Sequence, residues 1–310
     1  MTAPPNRRWL LYCLVAILMW GVWGIVSKAA TAHVSDTTIL VFSTLGVVPA
    51  GLLLLLRKNL WEGANVPLGC AFAFATGICG NTGNLLMLQA LASGGDTSVV
   101  LPVTGMFPLV TVLLSVVLLK ERLNAVQAGG IALALGALYL FNAADPASGA
   151  GADFLSKLSS GWMRSALAAL VLWGLAGVLQ KLAVDRVSAE LSTVCFTLAF
   201  IPVAAVVALL FPVQWPLPST QAWVLVLLFG ALIGFGSLVL FAAYRDGKAS
   251  IVTPVYALYP AVTVVLAVPI FRERIDVWRA AGIVLALAAA VALSYERPPK
   301  PLPVSGDTAG

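Results

Sequence analysis

Apolar residues run along this chain in long blocks separated by short polar, glycine- or proline-bearing breaks. Ten such blocks can be marked, at 10–30, 38–56, 67–91, 97–118, 124–142, 162–183, 189–211, 221–244, 249–270 and 277–295. A helix needs about 20 consecutive apolar residues to cross the hydrocarbon core of a bilayer, and each block comes near that length. The pattern therefore predicts an all-α, polytopic membrane protein of ten transmembrane helices. The longest connector, 143–161, is rich in Gly, Ser and Ala and parts the chain into two units of five blocks, 1–142 and 162–296. The Pro-rich end, 297–310 (RPPKPLPVSGDTAG), reads as a disordered cytoplasmic tail.

The first block has the flanks of a signal peptide: Arg7-Arg8 before it and Ala30-Thr31-Ala32 after it. Its apolar run is longer than a usual signal core, and its counterpart at 162–183 lies too far along the chain to be one. We read it as a retained span.

Composition agrees with this class. Of the 310 residues, 60% are hydrophobic and 10% are charged. About a quarter of a soluble domain is charged, so this chain has too little polar surface to face water. The basic balance, +5, does not point to nucleic acid, because the Lys and Arg residues are scattered singly between apolar runs. The four cysteines, Cys13, Cys70, Cys79 and Cys195, fall inside apolar blocks without metal-ligand spacing and read as small hydrophobic residues.

The two halves repeat one another. At an offset of 152, residues 95–122 lie over 247–274 with 13 of 28 positions identical, Pro102/Pro254, Pro108/Pro260, Glu121/Glu273 and Arg122/Arg274 among them. The helix openings WGVWGIVSK (20–28) and WGLAGVLQK (173–181) align at an offset of 153. Shared apolarity alone does not put two prolines and a Glu-Arg pair in register, so duplication is the better account. Five spans is an odd number, so the second unit enters the bilayer from the opposite side, the inverted arrangement many secondary transporters use. Placing the N-terminus in the cytoplasm puts twelve of the eighteen Lys and Arg residues on the inner face, as the positive-inside rule favours. Both termini are then cytoplasmic.

Trp-Gly at the start of each unit, with Pro108…Glu121-Arg122-Leu123…Gln127…Gly130…Gly136 and Pro260…Glu273-Arg274-Ile275…Gly282 at the ends, resembles the EamA-like branch of the drug/metabolite transporter superfamily. The resemblance covers residues 10–295. It implies an alternating-access carrier of a small metabolite in a cell (inner) membrane, with export favoured over uptake, and it implies no single substrate.

Three features carry candidate chemistry. On a helix, Trp20, Trp23, Ser27 and Lys28 share one face with Gly24, and Trp173, Gln180 and Lys181 repeat that stripe with Ala176 and Gly177. Such a stripe suits a helix lining a cavity; lysines at span ends also snorkel to the interface, and tryptophans anchor there or pack in the core. Asn81 and Asn84 fall near the middle of the third block, three residues apart and so on one side of the helix. They can bind substrate or hold neighbouring helices together. Pro102 and Pro108, with Pro254 and Pro260 in the second unit, predict bent or unwound fourth and ninth helices, as gating elements or packing kinks. Tyr256 and Tyr259 flank the second pair.

The charged turns Lys120-Glu121-Arg122 and Arg272-Glu273-Arg274 are assigned to turn structure, and Asn124 with Gln127, and Asp276, to helix N-caps. No acidic residue stands mid-block, which disfavours a membrane-embedded carboxylate coupling protons to cationic drugs. The chain holds no H-E-x-x-H, G-x-S-x-G or P-loop. We therefore expect no enzyme, no cofactor and no catalytic or metal site. The leading expectation is a secondary transporter for a neutral, zwitterionic or anionic organic metabolite, such as an amino acid or a relative. An uptake carrier of the same fold and a lipid flippase are the alternatives. The expected partners are a small-molecule substrate and the lipid bilayer, with no nucleic acid; a homodimer is left open.

Overall fold

The computed structural model describes residues 8–58, 60–118, 124–143, 161–246, 255–256, 258–293 and 295. The connector, the tail, Glu121, Arg122 and Pro254 lie outside the described residues, as does the side chain of Lys181. The described elements are helical: α1 Arg8–Thr31, α2 Asp36–Leu54, α3 Val66–Ala92, α4 Thr97–Gly105, α5 Pro108–Leu118, α6 Ala125–Ala143, α7 Gly161–Val184, α8 Ala189–Leu198, α9 Phe200–Leu210, α10 Thr220–Asp246, α11 Tyr259–Phe271 and α12 Val277–Leu293. Among the described residues, seven stretches are long and apolar enough to cross a membrane: α1, α2, α3, 97–114, α7, 189–210 and 220–240. Residues 125–140, α11 and α12 are shorter apolar helices.

Local chemistry sets the helix starts. Ser35 caps α2 by accepting from the Thr38 amide at 3.3 Å, and its repeat partner Ser188 caps α8 by accepting from the Leu191 amide at 3.2 Å. Asn65 accepts from the Leu68 amide ahead of α3. Before α6, Asn124 and Gln127 form the reciprocal cap, each side chain accepting from the other's amide (2.9 and 3.1 Å). Asp276 accepts from the Arg279 amide at 2.8 Å. The cap of α4 comes from the other half of the chain: the Glu273 carboxylate accepts from the Thr97 and Ser98 amides at 2.7 and 2.8 Å. A carboxylate at a helix N-terminus answers both the free N–H groups and the dipole.

Prolines and glycines shape the helix interiors. The fourth span breaks between Gly105 and Pro108. Helix α4 runs through Pro102 without interruption. Pro260 is the second residue of α11. The block at 189–211, expected to be one helix, is two: α8 ends at Leu198 and α9 starts at Phe200. Pro202 has no N–H to offer the Leu198 carbonyl, which weakens the helix at this break.

Packing carries the repeat beyond the stretches that sequence aligns. Gly77 of α3 lies against the Phe196 carbonyl and Ala199, and its partner Gly230 of α10 lies against the Ser43 carbonyl and Gly46. Gly21 and Gly24 of α1 press on Val262 and Thr263, while Gly174 and Gly177 of α7 press on Val110 and Thr111. The same hydrogen bond closes both contacts: Thr263 Oγ1 donates to the Gly21 carbonyl at 3.0 Å, and Thr111 Oγ1 to the Gly174 carbonyl at 2.9 Å. Helix direction follows from paired contacts. Gly46 meets Gly230 and Ala50 meets Gly234, so α2 and α10 run parallel. Gly83 meets Trp173 and Gly69 meets Val187 just beyond α7, so α3 and α7 run antiparallel.

Candidate functional site

A cavity of about 190 Å³ lies where both halves of the chain meet. Helix α1 gives it Trp20 and Trp23; α3 gives Thr76, Gly80 and Asn84; α7 gives Trp173, Ala176, Gly177 and Gln180. Phe107 enters from the break between α4 and α5, Phe196 from α8 and Ile233 from α10, with Tyr259 at the start of α11 and Tyr256 ahead of it. The rings touch one another in a chain. Trp20 meets Trp23 edge-on at 5.6 Å, Tyr256 at 6.3 Å and Tyr259 at 6.2 Å, and Trp23 meets Trp173 at 6.0 Å. Tyr256 stacks on Tyr259 at 5.8 Å, and Phe107 stands edge-on to Trp173 at 6.4 Å. These separations fall in the favourable range for aromatic pairs.

Among the described residues, none of the lining side chains is charged. Polar atoms are few. Gln180 donates from Nε2 to Ser192 Oγ at 3.2 Å. The Asn84 amide has no bonding partner among the described residues and lines the cavity. The Trp173 indole N–H donates to the Gly80 carbonyl at 3.2 Å. Its repeat partner Trp20 sets its indole nitrogen against Gly236, buried and unbonded.

The structure thus gathers Trp20, Trp23, Asn84, Trp173, Gln180, Tyr256 and Tyr259 around one space. It does not bring Ser27, Lys28 or Asn81 there. Ser27 is fully buried and donates back to the Trp23 carbonyl at 2.7 Å. Lys28 Nζ donates to the Leu91 and Gly95 carbonyls at 2.8 and 3.1 Å, where a cation meets the negative end of α3. Asn81 is fully buried with both amide atoms unbonded, so the shared side expected of Asn81 and Asn84 does not extend to one cavity. Two lining rings escaped the sequence reading. Phe107 is the repeat partner of Tyr259 and could have been found from that alignment; Phe196 answers to Ser43 and carried no such signal.

The Lys28 contact belongs to a wider set of polar ties at the turns after α3 and α11. There Asp96 pairs with Arg279, and Glu273 caps α4. The four cysteines are free thiols.

Among known proteins, an uncharacterized protein of Methanocaldococcus jannaschii is 40% identical over 63 residues, which is 20% of this chain and 46% of that relative. The chain therefore spans about half the length of that relative. A solved structure described only as "Crystal structure of protein" superposes with a TM-score of 0.61 at 20% identity, over 91% of this chain and 94% of the other, a likeness of fold alone. The model of the EamA-like transporter family matches residues 7–143 and again 161–295. With that double match over most of its length, and its apolar helices, this chain belongs to the EamA-like transporter family, a multi-pass membrane transporter of the drug/metabolite transporter superfamily.

Proposed function

We propose that the chain is a secondary carrier that exports a small organic metabolite across the cell (inner) membrane by alternating access. On this reading it has ten spans in two inverted five-helix repeats, with both termini in the cytoplasm. The parallel run of α2 and α10 supports the inversion: α10 is the repeat partner of α3, so in a direct repeat it would run against α2.

One observation carries the mechanism: the cavity is one-sided. It follows α7 from Trp173 to Gln180 and α3 from Asn84 back to Thr76, about 10 Å of helix in each case. On α1 it reaches Trp20 and Trp23 only. Gln180, Gly177 and Phe196 line the space, while their repeat partners Ser27, Gly24 and Ser43 are buried. A protein whose halves exchange these roles presents its site to each side in turn. The polar ties at Lys28, Asp96, Glu273 and Arg279 gather on the face assigned outside, opposite the end reached by Gln180. The absence of charge among the described lining residues favours the neutral arm of the substrate expectation. Export rests on the family resemblance.

Counterflow of labelled metabolites into proteoliposomes tests the carrier. Saturable exchange of at least one member of a broad neutral and zwitterionic panel is expected. Absence of exchange for all of them, with protein shown to be folded, sinks it.

A further inference from the structure

We propose that the cavity binds a neutral, planar heterocycle carrying neighbouring N–H and C=O groups, a lactam ring of nucleobase size. The inference rests on the carrier reading for its biological sense and on the cavity alone for its chemistry.

Charge is decided first. Among the described residues no lining side chain is ionic, and Lys28, one of the two lysines expected at this site, is held by the Leu91 and Gly95 carbonyls. An anion entering this aromatic pocket loses its hydration and meets ring faces that repel it, with no opposite charge among the described residues to replace the lost water. Shape comes next. Flat rings from α1, α7, the α4–α5 break and Tyr256 and Tyr259 form most of the wall, and aromatic walls hold planar rings by stacking, as they hold nucleic-acid bases. The polar atoms then select among planar molecules. Asn84 offers a whole amide, donor and acceptor together, with no protein partner among the described residues. Gln180 gives an N–H to Ser192 Oγ, which leaves its carbonyl for a ligand N–H. An amide matches an edge that sets N–H beside C=O, the way Asn and Gln read base edges. A sugar has more hydroxyls than two amides can satisfy. Volume points the same way: the partly open cavity holds about 190 Å³, below the roughly 300–1,000 Å³ of pockets for drug-sized ligands. One ring or two fused rings fit that scale better than a nucleoside.

Isothermal titration calorimetry and thermal unfolding of the purified full chain test this with uracil, hypoxanthine, 1,3-dimethyluracil, phenylalanine and benzoate. Uracil or hypoxanthine should bind saturably and raise the unfolding temperature. The dimethyl compound keeps the ring but has no N–H, and should bind about 10-fold more weakly than uracil. Asn84→Ala should weaken uracil by about 10-fold and 1,3-dimethyluracil, which keeps its carbonyls but has no N–H, by less. Phenylalanine or benzoate binding more tightly than either lactam overturns the proposal, as does equal binding of uracil and its dimethyl form. If Asn84→Ala does not fold, that ligand pair on the unaltered protein decides the matter. Counterflow separates the two readings. Exchange of other solutes without lactam binding removes this inference and keeps the carrier; lactam binding without exchange of any solute does the reverse.

Discussion

The contact of α1 with α11 gives the sharpest structural prediction, Gly24→Ala. A Cβ built on Gly24 falls 2.6 Å from Thr263 Cγ2, 2.8 Å from Thr263 Oγ1 and 3.2 Å from Leu101 Cγ. Carbon atoms prefer about 3.5–4.0 Å, so α1 and α11 must part by about 1 Å to admit the methyl group. Overpacking of this kind costs about 1–3 kcal/mol. The same movement stretches the Thr263–Gly21 hydrogen bond from 3.0 Å beyond bonding range, and interhelical bonds in membranes average about 0.6 kcal/mol. Gly24→Ala should therefore lose about 2–3 kcal/mol, read as a shift in reversible SDS unfolding of the purified protein in mixed micelles. Thr263→Ala removes both of the closest atoms, so in the double variant the glycine substitution should add little. A Gly24→Ala protein within about 0.5 kcal/mol of the parent, or strict additivity in the double variant, would mean that the two helices do not approach at this glycine.

Three further outcomes follow from single contacts. Asn81→Leu replaces a fully buried amide with both atoms unbonded, and should raise stability by about 1 kcal/mol in the same unfolding assay; a loss would show that Asn81 has a partner in solution. Arg279→Gln puts at this position the residue its repeat partner carries, Gln127, and breaks the pair with Asp96. A half-exposed pair adds under about 1 kcal/mol, so stability should barely move while a cysteine placed at Ser27 becomes more open to impermeant thiol reagent from outside; unchanged labelling speaks against a latch. Arg272 ends α11 with φ at 54°, a conformation that disfavours side chains by about 1 kcal/mol, so Arg272→Gly should be neutral or stabilising in thermal unfolding.

Helix ends were legible in the sequence where polar caps bound the apolar runs: 67–91 became Val66–Ala92 because Asn65 caps it, and 38–56 became Asp36–Leu54 behind Ser35. The break at Ala199 was not, although Pro202 was in view, because the same residue in the other repeat, Pro49, lies inside an unbroken α2. A proline removes one bond; whether the helix parts there depends on what packs around it. The site shows a similar limit. A helical projection puts Ser27 on the stripe of Trp20 and Trp23, and that geometry holds. What it lacks is the neighbour: Thr263 and Leu101 close on α1 at Gly24, so the stripe leaves the cavity one turn after Trp23. Asn84 and Asn81 differ for the same reason, since a small rotation about α3 separates the cavity wall from the helix interface.

A duplicated chain lets each residue be compared with its partner in the other setting. Trp173 bonds the Gly80 carbonyl, whereas Trp20 leaves its N–H buried and unbonded beside Gly236. The carbonyl that corresponds to Gly80 belongs to Ile233. On the alternating-access reading, an exchange of states would give Trp20 that bond and take it from Trp173. An unbonded buried donor costs about 1–3 kcal/mol, but the penalty is paid in either state, so the tryptophans leave the two forms close in energy. The bias must come from positions where the repeats differ. Asp96 and Arg279 correspond to Lys248 and Gln127, which do not form an opposite-charge pair. The Asp96–Arg279 pair thus has no copy at its repeat positions, while the face assigned inside holds a different pair, Arg57 with Glu190. On the alternating-access reading, the residues the repeats share let the halves exchange roles, and those they do not share bias which side rests closed.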